Sequence, residues 1–298
     1  MKQKLHYIYI WFDYSMLLPF LAFLPQKTGR YLAKLRGILY FYKKRDWRSF
    51  TFKDYELFNR TYQAYQEMFP ELDHESLLNL VKQRYISQSI EEFESALIVQ
   101  KKYHTIGVKY VGMEKVQEYL QKEKKAIFTT GHFGSIVGLT YLHIFKNPTL
   151  HMASNVTKQK IVHPSITNFY IKKYLVGNDY MNGGEVLDVE GNNRKFFSFL
   201  KKDGSLSTIA DLPANPQNEV PLWKEFFGKT RGFATGLQRL SNATNTKIIP
   251  YVCYYENGTY IMKFGSLDED IYKFLENEIR MKPHLWWAAD LLPTYTTK

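Results

Sequence analysis

A single cysteine, Cys253, stands among 298 residues, so the chain builds no disulfide framework and no cysteine-rich metal site, and it suits a reducing compartment. Internal repeats, a P-loop, a Rossmann glycine triplet and zinc-ligand spacing are all missing, which removes the readings that rest on those signatures. Acid is scarce: 29 Asp and Glu stand against 40 Lys and Arg, a formal charge of +11. That imbalance implies an anionic partner such as nucleic acid, acidic lipid or a phosphorylated cofactor. An uninterrupted membrane-spanning run is also lacking. The stretch from Tyr7 to Leu24 is close to the roughly 20 apolar residues that a spanning helix needs, but Asp13 and Pro19 interrupt it.

What is present is concentrated. Residues 1–48 carry ten basic against two acidic side chains, so most of the positive excess adjoins the aromatic-rich run of Tyr7 to Leu24. Rings at headgroup depth and cations beside anionic lipid fit a segment lying in a membrane interface; a spanning helix and a buried N-terminal helix are the alternatives. No small-x-small site follows the run, which argues against a cleaved signal peptide. Charge placed beside an apolar anchor favours lipid over nucleic acid, for which no module is recognisable. With 45% hydrophobic residues, ample for a packed core, the expected division is an interfacial anchor with its basic flank over 1–48 and one α/β domain over 49–298.

Helical spacing of Tyr55, Phe58, Tyr62 and Tyr65 predicts a helix from Lys53 to Phe69, stopped by Pro70. Asp73 is placed to cap a second helix with a stripe of Leu77, Leu80, Val81, Arg84 and Tyr85. A third is expected from Ile90 to about Lys102, with Glu91, Glu92 and Glu94 in its first turn, where the macrodipole favours acid. Beyond it, short strands at Lys109 to Gly112, Ala126 to Thr130, Thr149 to Ser154, Val186 to Val189 and Ser205 to Ala210 alternate with helical stretches. Lys247 to Tyr255 and Thr259 to Phe264 then form a hairpin around Asn257-Gly258. Strands alternating with helices, closed by a hairpin, specify an α/β sandwich with a mixed sheet flanked by helices.

The chemistry is expected at strand ends. Ala126 to Thr130 is apolar and β-branched and stops at Gly131-His132-Phe133-Gly134, with Ser135 as a plausible cap for a following helix. Open α/β sheets collect ligands outside the carboxyl ends of their strands, so an imidazole between two glycines is well placed there. The glycines remove side-chain bulk and permit close approach of substrate. Asp211 closes its own strand just as His132 does, and loop capping is its alternative role. Leu222, Trp223, Phe226 and Phe227 form an aromatic group that either walls a groove or covers the core. Lys158, Lys160 and His163 make a basic loop suited to phosphate or to plain solvation, and Arg239 lies one turn beyond Thr235, toward the Pro- and Asn-rich loop of Leu212 to Val220.

An ordered series of segments resembles the bacterial lipid A late acyltransferase family, within the lysophospholipid acyltransferase superfamily. TTGHFGSIV resembles its His-x4-carboxylate box, Trp47-Arg48 its basic turn, and Met68 to Leu72 its FPE-type step. Val111 to Glu114 resembles VEGLE, Ala210-Asp211-Leu212 the ADQ motif, Phe226-Phe227-Gly228 through Thr235 the FFG...T loop, Ile248 to Pro250 the VVP strand, and Pro283 with Trp286 the closing P..W. The resemblance implies transfer of a fatty acyl group from an acyl carrier protein or coenzyme A thioester to a hydroxyl, or an amine, of a lipid or glycolipid. It implies no further cofactor and no metal, and it locates the protein at the cytoplasmic face of the inner membrane. His132 is then the general base, Gly131 and Gly134 flank the substrate, and Lys158, Phe227, Thr235 and Arg239 are the candidate binding residues. Three positions depart from the family. Val137 replaces the box carboxylate, Leu212 replaces the ADQ glutamine, and Lys158 is the nearest basic residue to the family's arginine after the next strand. If Asp211 takes over the carboxylate's role, it must lie about 3–4 Å from an imidazole nitrogen. If nothing does, the alternative is a catalytically degenerate relative that binds lipid or a partner enzyme.

Overall fold

Short strands of apolar and small hydroxyl side chains, covered on both faces, make the centre of the sheet, as parallel strands require. In the computed structural model, which describes residues 2–51, 54–102, 106–215, 217 and 219–298, these are β2 (Ile127–Thr130) and β5 (Ser205–Ile209). Around them lie β1 (Val108–Val111), β3 (Thr149–Ala153), β4 (Glu185–Asp188), β8 (Ile248–Glu256) and β9 (Thr259–Phe264), giving the order β1-β9-β8-β2-β5-β3-β4. Neighbours run parallel except β8 with β9, so the sheet is mixed, with helices packed against it. The β8–β9 turn places Asn257 and Gly258 at φ 50° and 86°, the left-handed pair that a tight hairpin needs. Cys253 is buried in β8. Among the described residues, β6 (Leu222–Phe226) and β7 (Lys229–Phe233) form a separate hairpin where only an aromatic cluster was foreseen.

The helices depart from expectation in two places. Lys53, the expected start of the first, lies outside the described residues, and the helix observed is Leu57–Met68. Asp73 does cap the next, accepting from the Ser76 amide at 2.8 Å, but that helix runs unbroken from His74 to Val99. Glu91, Glu92 and Glu94 are therefore not first-turn charges. They are buried in mid-helix, where Lys173, Arg36 and Arg30 respectively answer them, so tertiary cations rather than the helix dipole satisfy the acid. No glycine or proline interrupts residues 74–99, so nothing local breaks the helix. After Gly134 the expected continuous helix is reduced to one turn, Gly138–Tyr141, followed by a 3-10 turn, Leu142–Phe145. Ser135 still behaves partly as a cap: its Oγ accepts from the Val137 amide at 3.2 Å and donates to buried Glu94.

The N-terminal run folds as helix Lys2–Phe12, a π-turn Asp13–Leu17 and helix Leu18–Phe23, and the chain returns along Gln26–Lys43. One face is interior: Ile10, Tyr14, Leu18, Leu21 and Ala22 join the core that contains Phe128 and Ile249. Asp13, the acid inside the apolar run, is buried against Arg36, whose Nε donates to it at 2.8 Å; Tyr40 also donates to it, and Arg36 reaches Glu92. The irregular turn thus sits where a buried ion pair is made. The other face exposes Ile8, Trp11, Phe12, Met16, Phe20 and Phe23, and the returning helix exposes Tyr31, Leu35, Leu39 and Tyr42. No helix among the described residues is long and apolar enough to cross a membrane.

Candidate active site

Strand register brings the two chemical residues together. Thr130 and Ile209 are partners at the carboxyl ends of β2 and β5, so the residues two positions beyond each, His132 and Asp211, emerge side by side. The carboxylate grips the histidine twice: Oδ1 lies 2.9 Å from imidazole Nδ1, and Oδ2 accepts the His132 amide at 2.8 Å. Indole Nε1 of Trp286 donates to the same Oδ2 at 2.7 Å. Asp211 is wholly buried, whereas the His132 side chain retains 18% of its exposure. A fully buried carboxylate held by N–H groups fixes the ring's orientation and its tautomer with the proton on Nδ1, leaving Nε2 to take or return a proton.

The flanking glycines have packing causes of their own. A Cβ on Gly131 would stand 3.0 Å from Asp211 Oδ2, so the absent side chain is what admits the carboxylate. Gly134 has φ +70°, and a Cβ there would meet the Cys253 carbonyl of β8 at 2.0 Å. The C-terminal segment clamps this loop. The Trp287 amide donates to the His132 carbonyl at 3.0 Å, the Gly134 amide to that of Leu285 at 2.9 Å, and the Trp287 ring meets the imidazole edge-on at 4.6 Å. Arg84, buried, donates twice to the Trp287 carbonyl and pairs with Asp46 and Asp290. The Tyr295 hydroxyl holds the Asp211 carbonyl at 2.9 Å.

His132 opens on a cavity of about 270 Å³, lined mainly by apolar side chains including Ile98, Ile136, Leu139, Val156, Met181 and Val186. Arg48, Thr140, Ser154, Tyr170 and Tyr174 add polar groups to its wall. Glu91, Lys173 and His151 face it, and burial drives each toward neutrality: it pushes Glu91 up, Lys173 down, and His151 down to about 4. A second groove of about 570 Å³ shares Met152 and Ile209 with the first, is floored by Phe197, Leu237 and Leu240, and carries Arg194 and Arg239.

The sequence-derived candidates thus separate. His132 and Asp211 meet, and Arg239 stands on the second groove. Lys158 is paired with Asp188 at 2.6 Å and lines neither cavity. Phe227, at φ 50° in the β6–β7 turn, stacks on Trp286 at 6.1 Å and, with Phe226, covers the core; it lines neither cavity. Of the two roles open to that aromatic group, core cover is the one its contacts describe. Thr235 is tied through its amide and hydroxyl to Glu219, at 3.1 and 2.9 Å. Val137 is wholly buried in the core. Sequence reasoning gave no site role to Trp286, Trp287, Lys173 or His151, and read Glu91 only as a helix-end charge. The adjacent tryptophans near the end of the chain were the available signal for the first two.

The profile of the family described as bacterial lipid A biosynthesis acyltransferase matches residues 2–287. No curated protein matches the chain.

Proposed function

The chain belongs to the bacterial lipid A biosynthesis acyltransferase family, and we propose that it moves a fatty acyl group from an acyl carrier protein or coenzyme A thioester to a hydroxyl, or an amine, of a lipid or glycolipid. The observation that carries this reading is the 2.9 Å contact between Asp211 and His132 Nδ1 beside an apolar cavity. It supports Asp211 as the substitute for the carboxylate missing at Val137. His132 Nε2 removes the acceptor's proton as its oxygen attacks the thioester carbonyl, Asp211 stabilises the imidazolium, and collapse of the adduct breaks the C–S bond. The imidazolium then protonates the departing thiolate, so atoms and charge balance. The acyl chain lies in the cavity of about 270 Å³, and the acceptor approaches along the groove that shares Met152 and Ile209. Arg239 answers an anionic headgroup there; Lys158 does so only if it exchanges Asp188 for substrate.

The exposed apolar faces of residues 7–23 and 31–42, beside a strongly basic segment, support attachment to the cytoplasmic surface of the inner membrane. Lipid mass spectrometry of cells with the wild-type protein, with His132→Ala and with neither tests the whole reading. An acylated lipid present only with wild type is expected. Identical lipid profiles in all three would favour instead a catalytically silent protein that binds lipid or a partner enzyme.

A further inference from the structure

The loop that carries His132 is thinly supported by packing. It forms a wall between two cavities: His132 and Ile136 line the one of about 270 Å³, while Gly134 and Ser135 line another, of about 250 Å³, together with Arg30 and Tyr255. Helical bonding does not stiffen it, because the helix that follows begins only at Gly138. Its shape therefore rests on individual hydrogen bonds. The C-terminal segment supplies two, to the His132 carbonyl and from the Gly134 amide, and β8 a third, where the Cys253 carbonyl accepts the Ser135 amide at 2.7 Å.

A fourth comes from the helix His74–Val99. The Ser135 hydroxyl donates to Oε2 of Glu94, which is 2% exposed. The other oxygen of Glu94 is engaged from elsewhere: Arg30 Nη1, in the helix Gln26–Lys43, reaches Oε1 at 2.8 Å, and the Tyr260 hydroxyl of β9 donates to it at 3.0 Å. Arg30 also donates to that hydroxyl at 3.1 Å and lies over the Tyr255 ring at 3.7 Å, so its guanidinium is held at both edge and face. Its helix is seated close against His74–Val99, since a Cβ on Gly37 would stand 2.6 Å from the Ile86 Cα. Three donors thus converge on one carboxylate, and an amide, with a single oxygen, could not receive them in the same way. Glu94, Ser135 and Arg30 do not line the cavity on which His132 opens.

We propose that Glu94 is a positioning residue for the reaction: through Ser135 it fixes the loop that presents His132 Nε2, and Arg30 in turn fixes Glu94, so that turnover depends on how the N-terminal helix is seated. This rests on the acyl-transfer reading and extends it to side chains outside the substrate cavity.

The test is steady-state acyl transfer by the full-length protein in detergent, with the low-field proton resonance of the His132 Nδ1–H bonded to Asp211 followed in parallel. Ser135→Ala should lower kcat about 10- to 100-fold, as a reacting group displaced by up to about 1 Å does, while KM for the acyl donor stays nearly constant and the resonance shifts or broadens. Arg30→Met should lower kcat in the same sense. Added to Ser135→Ala it should lower kcat no further, because the two act along one path. A network that serves only the fold would instead cost stability and leave kcat per folded molecule and the resonance unchanged, and that result overturns the proposal. Losses that multiply independently in the double variant overturn it equally. If Ser135→Ala does not fold, Arg30→Met decides, and wild-type kcat in that folded variant overturns the proposal. A wild-type protein that turns over no acyl donor refutes acyl transfer, and the resonance then decides the positioning by itself.

Discussion

Two buried carboxylates, Asp13 in the N-terminal layer and Asp211 just beyond the carboxyl end of the inner strand β5, are answered in opposite ways. Asp13 meets a guanidinium: Arg36 holds it at 2.8 Å through Nε, and the same cation serves Glu92. Asp211 meets the His132 amide, the His132 ring and the Trp286 indole, and no lysine or arginine among the described residues pairs with it. Pairing with a fixed cation makes a group useful for holding helices together and little use for stabilising a charge that appears later. In the proposed reaction, a carboxylate held by neutral donors keeps its field for the imidazolium that would form at Nε2 during proton transfer. The first arrangement is architecture, and the second is preorganisation.

The largest effects should come from the Asp211 side of this comparison. His132→Ala removes the base and Asp211→Asn its counter-charge; general base catalysis contributes roughly 100- to 10,000-fold, and each variant should lose acyl transfer on that scale while retaining a wild-type circular dichroism spectrum. An Asp211→Asn protein with wild-type turnover would put the two carboxylates in one class. Arg36→Leu examines the other side. It strands Asp13 and Glu92 without their cation, and breaking a buried pair in this way costs about 3–5 kcal/mol, to be read from denaturant midpoints. A change under about 1 kcal/mol would mean that the network is not what fastens the N-terminal helices.

The N-terminal network should also titrate. Burial pushes Glu92 up to about 7, against the opposing pull of Arg36 and with the help of Asp13. A carboxyl whose folded pKa exceeds its unfolded value binds more protons when folded, so its contribution is complete below about pH 4.5 and is lost as pH rises through about 7. The loss is on the order of 3 kcal/mol, from ~1.4 kcal/mol for each unit between the two values. Unfolding free energies measured across that window should fall more steeply with pH in wild type than in Glu92→Gln. Parallel slopes would remove Glu92 as the titrating group.

Much of this was legible in the chain, for reasons that also explain what was not. The strands at 126–130, 149–154 and 205–210 and the hairpin around Gly258 carry local signals, since β-branched runs and an Asn-Gly turn need no tertiary context. The meeting of His132 with Asp211 was expected because both end strands of one sheet. Glu91, Glu92 and Glu94 were misplaced because a helix start and a set of buried ion pairs look alike in sequence, and only packing brings Arg36, Arg30 and Lys173 to them. Gly131 was read as space for substrate when the space belongs to Asp211, a contact across 80 residues. The role of Trp286 was hidden for the same reason: nothing in a P..W spacing says which oxygen the indole will find.

That indole gives the smallest and sharpest test. If Trp286 acts only as core, where it packs against Phe226 and Phe227, then Trp286→Phe should cost stability and change turnover only through the fraction of protein folded. If it positions Asp211 through the 2.7 Å bond, the folded variant should lose about tenfold in kcat, the worth of one hydrogen bond to a charged group, with little change in KM for the acyl donor. The two cases separate in a double-mutant cycle. Trp286 can position only a carboxylate that is there to be positioned, so in an Asp211→Asn background the additional Trp286→Phe change should leave kcat where it was. Losses that multiply independently in the double variant would return Trp286 to the core and leave His132 to hold Asp211 alone.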